Sequence, residues 1–205
     1  MDALSQEFMD ARKADLAERV SAKRLHHIEG VSETAAELAE IYGEDVAKAR
    51  LAGLLHDWDK GFDNEGIRAR AFELGIEDEV GSWTIEFMPQ VLHGPTAAEA
   101  LSRQWPEIPA DVIEAIRFHT TASKTMTDLD KIIYISDAIE PSRTFDDAPY
   151  LRSLIGQVSL DELYFQVYKF WTRALIEHDV VLHPATIDIW NHLAKERSQK
   201  KKERR

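Results

Sequence analysis

Apolar positions recur at helical spacing along most of the chain. Leu4, Phe8 and Ala11, then Leu16 and Val20, predict an opening helix or helical hairpin. Ile28, Val31, Ala35, Leu38 and Tyr42 form a stripe on the next helix, which Gly43 ends. A third helix runs from Asp45 through Asp57, with Ala49, Ala52, Leu55 and His56 on or near one face. Glycine-bearing turns between Gly61 and Gly81 bracket a short helix around Ile67–Leu74. Pro95 suits the first turn of a helix beginning close to His93, and Pro109 opens the helix ADVIEAIRFH.

Thr127 and Asp130 form a capping pair ahead of LDKIIYISDAIE, a helix that ends before Pro141. The β-branched IIYI is four residues inside this longer helical pattern, so it is read as helix. Ser159 and Glu162 form a second capping box. The helix they open, from Leu160 to about Glu177, carries Leu163, Val167, Phe170, Trp171 and Ala174 on one side. A last helix begins near Pro184 and runs toward the C-terminus. There is no internal repeat and no convincing sheet pattern, so the expected fold class is all-α, a single helical bundle.

Composition narrows this picture. With 205 residues, 44% of them hydrophobic, the chain can bury one substantial core, which makes residues 1–194 one helical domain and 195–205 a tail. The absence of cysteine excludes a disulfide framework, a thiolate metal site and a cysteine nucleophile. No stretch approaches the roughly 18 apolar residues that span a bilayer, and MDALSQEFMD lacks the features of a secretory signal. The expected location is the cytoplasm, with no membrane partner.

The formal charge of −12 argues against a nucleic-acid surface spread over the whole protein. It leaves room for a small anion wherever a few cations or a metal reverse the potential locally. Lys195 to Arg205 is net +5, so the other 194 residues carry −17. That tail reads as a solvated helix end, with an RNA contact as the lesser reading.

The candidate chemistry lies in histidines and aspartates on the predicted apolar faces. His56 and Asp57 directly follow the apolar run LAGLL, and a buried carboxylate is costly unless paired or coordinated. Adjacent helical side chains point about 100° apart, so this pair can approach one metal from neighbouring directions. His27 shares a face with Val31 and Ala35, whereas its neighbour His26 points away from it. His93 precedes Gly94-Pro95 at a helix start, and His119 ends VIEAIRFH, where the helix dipole alone would also favour a histidine. Asp137 lies four residues after Ile133 on a core-facing side and needs a partner.

Four histidines and two aspartates exceed the three protein ligands of a usual catalytic zinc site but suit two ions sharing a carboxylate. In that arrangement Asp57 bridges, His27, His56 and Asp137 complete one site, and His93 and His119 the other. A water or hydroxide held between two such ions suits phosphoryl transfer to water.

His27, His56-Asp57 and Asp137 resemble the H…HD…D signature of the HD superfamily of metal-dependent phosphohydrolases. The longer segments KRLHHIEGV, LAGLLHDWDK, LHGP, IRFHTT and KIIYISDAIEPSR are more specific, and resemble the bacterial symmetrical dinucleoside-tetraphosphate hydrolases of the YqeK type. The similarity runs from about Ser21 to Phe145 and more weakly to about Ala194.

The resemblance implies a helical domain in which a metal-activated hydroxide at a dinuclear site converts diadenosine tetraphosphate to two ADP. His27, His56, Asp57, His93, His119 and Asp137 match the family's metal ligands. Two divalent or mixed-valence ions are implied, iron in the first place; imidazole and carboxylate also accommodate manganese or another transition metal. Lys60 and Arg143 match cationic residues expected at the phosphates, in catalytic and substrate-binding roles alongside Asp57, and Thr120 and Thr121 follow the family's HTT pattern as substrate contacts. The chain departs from the family at Ala122, where glycine is common, and at Asp59, where a small neutral residue is; both changes are expected at the substrate mouth.

The rival readings are another HD-type phosphohydrolase, acting on a dNTP, a mononucleotide or a cyclic dinucleotide, and a non-catalytic nucleotide- or RNA-binding helical module. An alarmone hydrolase would carry an acidic pair, as HDxxED, where HDWDKG has Lys60. Lys23, Arg24, Lys124 and Lys131 are further cations that spacing alone does not assign. His178, His183 and His192 have no partner pattern. Trp58 is more readily a packing residue than an adenine platform, and Trp83, Trp105, Trp171 and Trp190 belong to the core or its edge. The apolar face from Leu160 to Glu177 serves either the core or a homodimer, so monomer and homodimer both remain open.

Overall fold

Capping chemistry sets the helix boundaries across residues 2–203, the part of the chain that this computed structural model describes. Ser5 caps α1 (Gln6–Arg19), Ser21 caps α2 (Ala22–Tyr42), Asp45 caps α3 (Val46–Leu55) and Asp63 caps α4 (Asn64–Leu74). In each, a side-chain oxygen accepts an N–H that the first turn leaves unpaired. Gly43 (φ 82°) ends α2 in the left-handed region, which glycine enters without the Cβ penalty. Two short helices, α5 (Glu77–Val80) and α6 (Ser82–Phe87), and a 3-10 turn at Pro89–Val91 lead into α7 (His93–Gln104) and α8 (Ala110–Phe118).

Thr127 and Asp130 make the reciprocal capping box that opens α9 (Asp128–Ile139). After α10 (Ala148–Ser153), the Ser159 hydroxyl accepts the Glu162 N–H at the start of α11 (Leu160–Glu177). The last helix, α12 (Pro184–Glu203), continues through position 194, and residues 204 and 205 of the basic tail lie outside the described residues. The described residues contain no strand, so the fold is the all-α bundle that the pattern predicts. No described helix is long and apolar enough to cross a membrane.

The centre of the bundle is α9, which packs against α2, α3, α8 and α11. Ile132, Ile133 and Ile135 are fully buried, each contributing roughly 1.5–3 kcal/mol of transfer free energy. Packing on all sides is what keeps the β-branched IIYI segment helical. Leu163 and Val167 of α11 are buried in this same core, with Phe170 and Trp171 packed at its edge. A satellite cluster of Ile67, Ala71, Leu74, Ile76, Ile85, Leu92 and Ala100 joins α4, α6 and α7.

Helices α2 and α3 approach at Gly53, where an added Cβ would lie 2.8 Å from Ser32 Cα and 3.1 Å from its nitrogen. The Ser32 hydroxyl donates to the Arg50 carbonyl at 2.8 Å across the same crossing. This close approach holds the end of α3 against the middle of α2. Gly53→Ala forces the backbones apart and is expected to cost about 1–3 kcal/mol by overpacking, measurable as a lower urea midpoint. A midpoint unchanged from wild type would show that the crossing has slack.

Candidate metal centre

Three of the four candidate histidines are positioned by one local device. His56 follows the last residue of α3, His119 follows the last residue of α8, and His93 follows the 3-10 turn. In each, Nδ1 lies against the carbonyl three residues earlier: Gly53 for His56 at 2.7 Å, Gln90 for His93 at 2.8 Å and Ile116 for His119 at 2.7 Å. A carbonyl can only accept, so Nδ1 carries the proton and Nε2 presents a lone pair when the ring is neutral. His27, in the first half of α2, achieves the same state differently, with Nδ1 3.0 Å from Oε1 of the buried Glu140.

These Nε2 atoms converge. Those of His93 and His119 lie 2.9 Å apart, with the Thr120 hydroxyl 3.2 Å and 2.9 Å from them. His27 Nε2 is 3.0 Å from Asp137 Oδ1, without hydrogen-bond geometry, and His27 Nε2 and His56 Nε2 are buried with no hydrogen-bond partner. Lone pairs facing lone pairs and carboxylate oxygens repel unless a cation lies among them.

Asp57 shows how two ions fit. Its Oδ2 faces His56 Nε2 (3.5 Å) and His27 Nε2 (3.9 Å), while Oδ1 faces His93 Nε2 (3.3 Å) and His119 Nε2 (3.9 Å). His27, His56 and Asp57 thus form one candidate metal-binding cluster and Asp57, His93 and His119 another; His56, His119 and Asp137 make a third grouping that overlaps both. The six residues singled out from sequence come together in one place, and five are buried, with Asp137 partly open.

The charge states suit this use. Burial raises the Asp57 carboxyl, but His56 and His93 more than offset it and hold it well below the ordinary carboxylate range. Burial likewise works against the charged form of Asp137, and His27 and His56 override it, so this carboxyl too is held down. Burial lowers His119, with His93 and His56 adding to the effect, to about 3, which keeps the ring neutral. At His56 burial is outweighed by Asp57 and Asp137, which raise its pKa and mark where the pocket calls for positive charge.

Cations surround the cluster. Arg143 donates from Nε to the Asp137 carbonyl (2.9 Å) and from an NH2 group to Asp137 Oδ1 (2.7 Å). Lys60 Nζ lies 3.3 Å from the His93 ring; burial lowers its pKa, with Asp57 opposing the shift and Arg24 adding to it. Arg24 donates to Asp57 Oδ2 at 3.0 Å. Lys23 is exposed, and Lys124 and Lys131 pair elsewhere, with Asp188 and with Asp128 and Asp161.

Beside the cluster opens a cavity of about 380 Å³, within the range of small-molecule sites. His119, Thr120, Thr121, Asp137 and Arg143 line one part of it, and Tyr134, Tyr168 and Trp171 supply aromatic surface. His183 also reaches it, its Nε2 3.3 Å from the Thr84 hydroxyl. Trp58 does not: it is buried edge-on to Trp105 with the Arg19 guanidinium over its ring. His178 and His192 do not line the cavity, and His192 lies 3.5 Å from Glu196.

The two sequence departures have separate explanations. Ala122 takes a left-handed backbone (φ 59°) while buried, a conformation where glycine would be unstrained. Asp59 does not face the substrate mouth as expected. Its buried carboxylate instead joins Arg19 of α1 (3.0 Å) to Arg70 of α4 (3.5 Å), and Arg19 also donates to the Trp58 carbonyl. Gly61, in the same turn, comes so close to α1 that a Cβ there would meet the Arg19 carbonyl at 2.3 Å.

Residues 24–142 match the HD domain family. The chain belongs to the HD superfamily of metal-dependent phosphohydrolases. It is 35% identical over 85% of its length, and 89% of the relative's, to a symmetrical bis(5'-nucleosyl)-tetraphosphatase of Staphylococcus aureus. It is 29% identical over 88% of its length, and 94% of the relative's, to the Bacillus subtilis protein of the same name. A solved structure of a predicted HD superfamily hydrolase involved in NAD metabolism, from Clostridium acetobutylicum, matches with a TM-score of 0.82 at 35% identity, covering 91% of this chain and 97% of that one.

Within this HD-superfamily hydrolase, Glu140 is the residue that sequence reasoning passed over. It also accepts from the Ser142 N–H and hydroxyl, and Gly30 leaves the room it occupies, since a Cβ there would lie 2.7 Å from Glu140 Oε2. A carboxylate behind a metal-binding histidine fixes its tautomer and raises its basicity. Glu140→Ala is expected to weaken metal binding about 10–100-fold in a metal titration, and Glu140→Gln, which keeps an acceptor, by less. Equal affinities in all three proteins would remove Glu140 from the site.

Proposed function

We propose that this hydrolase cleaves diadenosine tetraphosphate symmetrically, giving two ADP. The observation that carries the reading is the placement of Asp57, one carboxylate oxygen toward each of two histidine clusters, in a chain related to symmetrical tetraphosphatases. In it His27, His56, Asp57 and Asp137 hold one ion, and Asp57, His93 and His119 a second, iron or manganese. Bound metal supplies Lewis acidity, lowering the pKa of water and drawing charge from phosphoryl oxygens.

The protein's own groups do the rest. Glu140 and the three helix-end carbonyls keep the Nδ1 protons in place, so the ligand nitrogens stay directed inward. Lys60 and Arg143 neutralise the polyphosphate, and the Thr120 and Thr121 hydroxyls donate to phosphate oxygens. The aromatic end of the cavity takes a nucleoside, burying one base while the phosphates run to the cluster. Water adds to the second phosphorus of the tetraphosphate, the bond from that phosphorus to the central bridging oxygen breaks, and each half leaves as ADP.

The test is chromatography of the products formed by iron- or manganese-loaded protein from a panel of nucleotides. ADP alone from diadenosine tetraphosphate is the expected result. AMP with ATP would exclude symmetrical cleavage. Turnover confined to dNTPs, mononucleotides or cyclic dinucleotides would replace the substrate, and no turnover by metal-replete protein would favour a binding module.

A further inference from the structure

Pro141 ends α9 in a way that leaves carbonyls to be answered by side chains. A proline has no N–H to give the Asp137 carbonyl one turn back, and Glu140 (φ −51°, ψ 156°) has already turned the chain out of the helix. Arg143 Nε takes the Asp137 carbonyl. Arg152, half-buried on α10, takes three more: Ile139 from Nε at 2.7 Å, and Glu140 at 2.7 Å and Arg143 at 2.6 Å from one NH2 group.

A planar guanidinium suits this place, because its forked donors reach several carbonyls at once and its charge sits at the negative end of the α9 dipole. Ala148 and Leu151 are buried, which anchors α10 and fixes where Arg152 can reach. The Glu140 carbonyl also accepts the Arg143 N–H at 2.9 Å, so the turn is closed from within and clamped from outside.

That turn carries two supports of the same part of the cluster. The Glu140 carboxylate backs His27 Nδ1, and Arg143 grips Asp137 Oδ1. His27 and Asp137 belong to one proposed ion position. His93 and His119 are oriented by the Gln90 and Ile116 carbonyls, which Arg152 does not touch.

Resting on the metal-centre reading above, we infer that Arg152 is a positioning residue for the ion held by His27 and Asp137. It touches no proposed ligand side chain. By binding carbonyls on both sides of Pro141, it holds Glu140 against His27 and Arg143 against Asp137; without it the turn swings and both supports draw away together.

The experiment is titration of manganese-loaded full-length protein with a chelator of known affinity, comparing wild type, Arg152→Gln, Arg152→Lys, Arg103→Gln, Glu140→Ala and Glu140→Ala with Arg152→Gln, each checked by circular dichroism. Arg103 is the control, since it too donates to a helix-end carbonyl, that of Leu74 at 2.6 Å, in the satellite cluster. Arg152→Gln is expected to weaken manganese binding about 10–100-fold, with part of the loss recovered in Arg152→Lys and less than about twofold change in Arg103→Gln. In the Glu140→Ala background Arg152→Gln should cost less than it does alone, because a group through which it acts is gone.

Wild-type affinity in folded Arg152→Gln overturns the assignment. Full additivity with Glu140→Ala, or an equal loss in Arg103→Gln, overturns it too, since general destabilisation would then explain the effect. Where Arg152→Gln does not fold, Arg152→Lys decides, and wild-type affinity in that variant overturns the assignment. A wild type that holds no manganese would overturn the metal-centre reading and this inference with it, whereas the Arg152 variants test the inference alone.

Discussion

Asp57→Ala is expected to lower the hydrolytic rate by about 10³-fold or more and to leave the purified protein without its full metal complement. Several kcal/mol of transition-state stabilisation depend on metal ions in such sites, and each 1.36 kcal/mol is tenfold in rate. Asp57 turns one carboxylate oxygen toward each histidine cluster, so its loss weakens both positions together, whereas loss of His93 or His27 touches one. Metal analysis and single-turnover kinetics on the same preparation give the answer, with circular dichroism to confirm that the helices persist. Full metal and full rate in this variant would exclude the shared carboxylate.

Metal loading itself should stabilise the fold strongly. Four imidazoles and two ionised carboxylates are assembled at the meeting point of α2, α3, α7, α8 and α9 with several of their lone pairs opposed. An ion that binds the folded state at about 1,000 times its dissociation constant adds about 4.1 kcal/mol. For a domain of this size that corresponds to a rise of about 8–16 °C in thermal midpoint. Scanning calorimetry before and after chelation measures it, and a shift below about 2 °C would mean that the cluster does not gather a tightly held ion.

Much of the helix layout was legible because helix ends are local chemistry. Asp45, Thr127, Ser159 and Gly43 lie within a few residues of the groups they cap. The short α5, α6 and α10 lack a side-chain cap and were not foreseen. The six candidate ligands could be read because each places a polar group on an otherwise apolar face, and the resemblance tied them together.

What supports those ligands was not legible. Glu140 is 113 positions from His27, and Asp59 is 40 from Arg19, so no periodicity connects them. The aromatic cavity joins residues from Met88 to Thr186, and Trp171 reads from sequence as ordinary core. The expectation for Asp59 failed for the same reason. Adjacency to Asp57 suggested the substrate mouth, but neighbouring residues in a turn can face opposite sides, and the arginines that receive Asp59 lie on helices before and after it.

The clasp between Asp59 and Arg19 bears on where this folding unit begins. The matched HD region starts at residue 24, yet α1 lies before it, its carbonyl at Arg19 resting on Gly61 and its guanidinium on Trp58. A chain trimmed to begin at residue 24 would strip the fully buried carboxylate of Asp59 of its nearer cation and uncover the Trp58 indole, two residues and one residue after Asp57. The border of the folding unit is therefore drawn by charge pairing rather than by sequence likeness, and the first helix is part of what keeps the turn carrying His56 and Asp57 in shape.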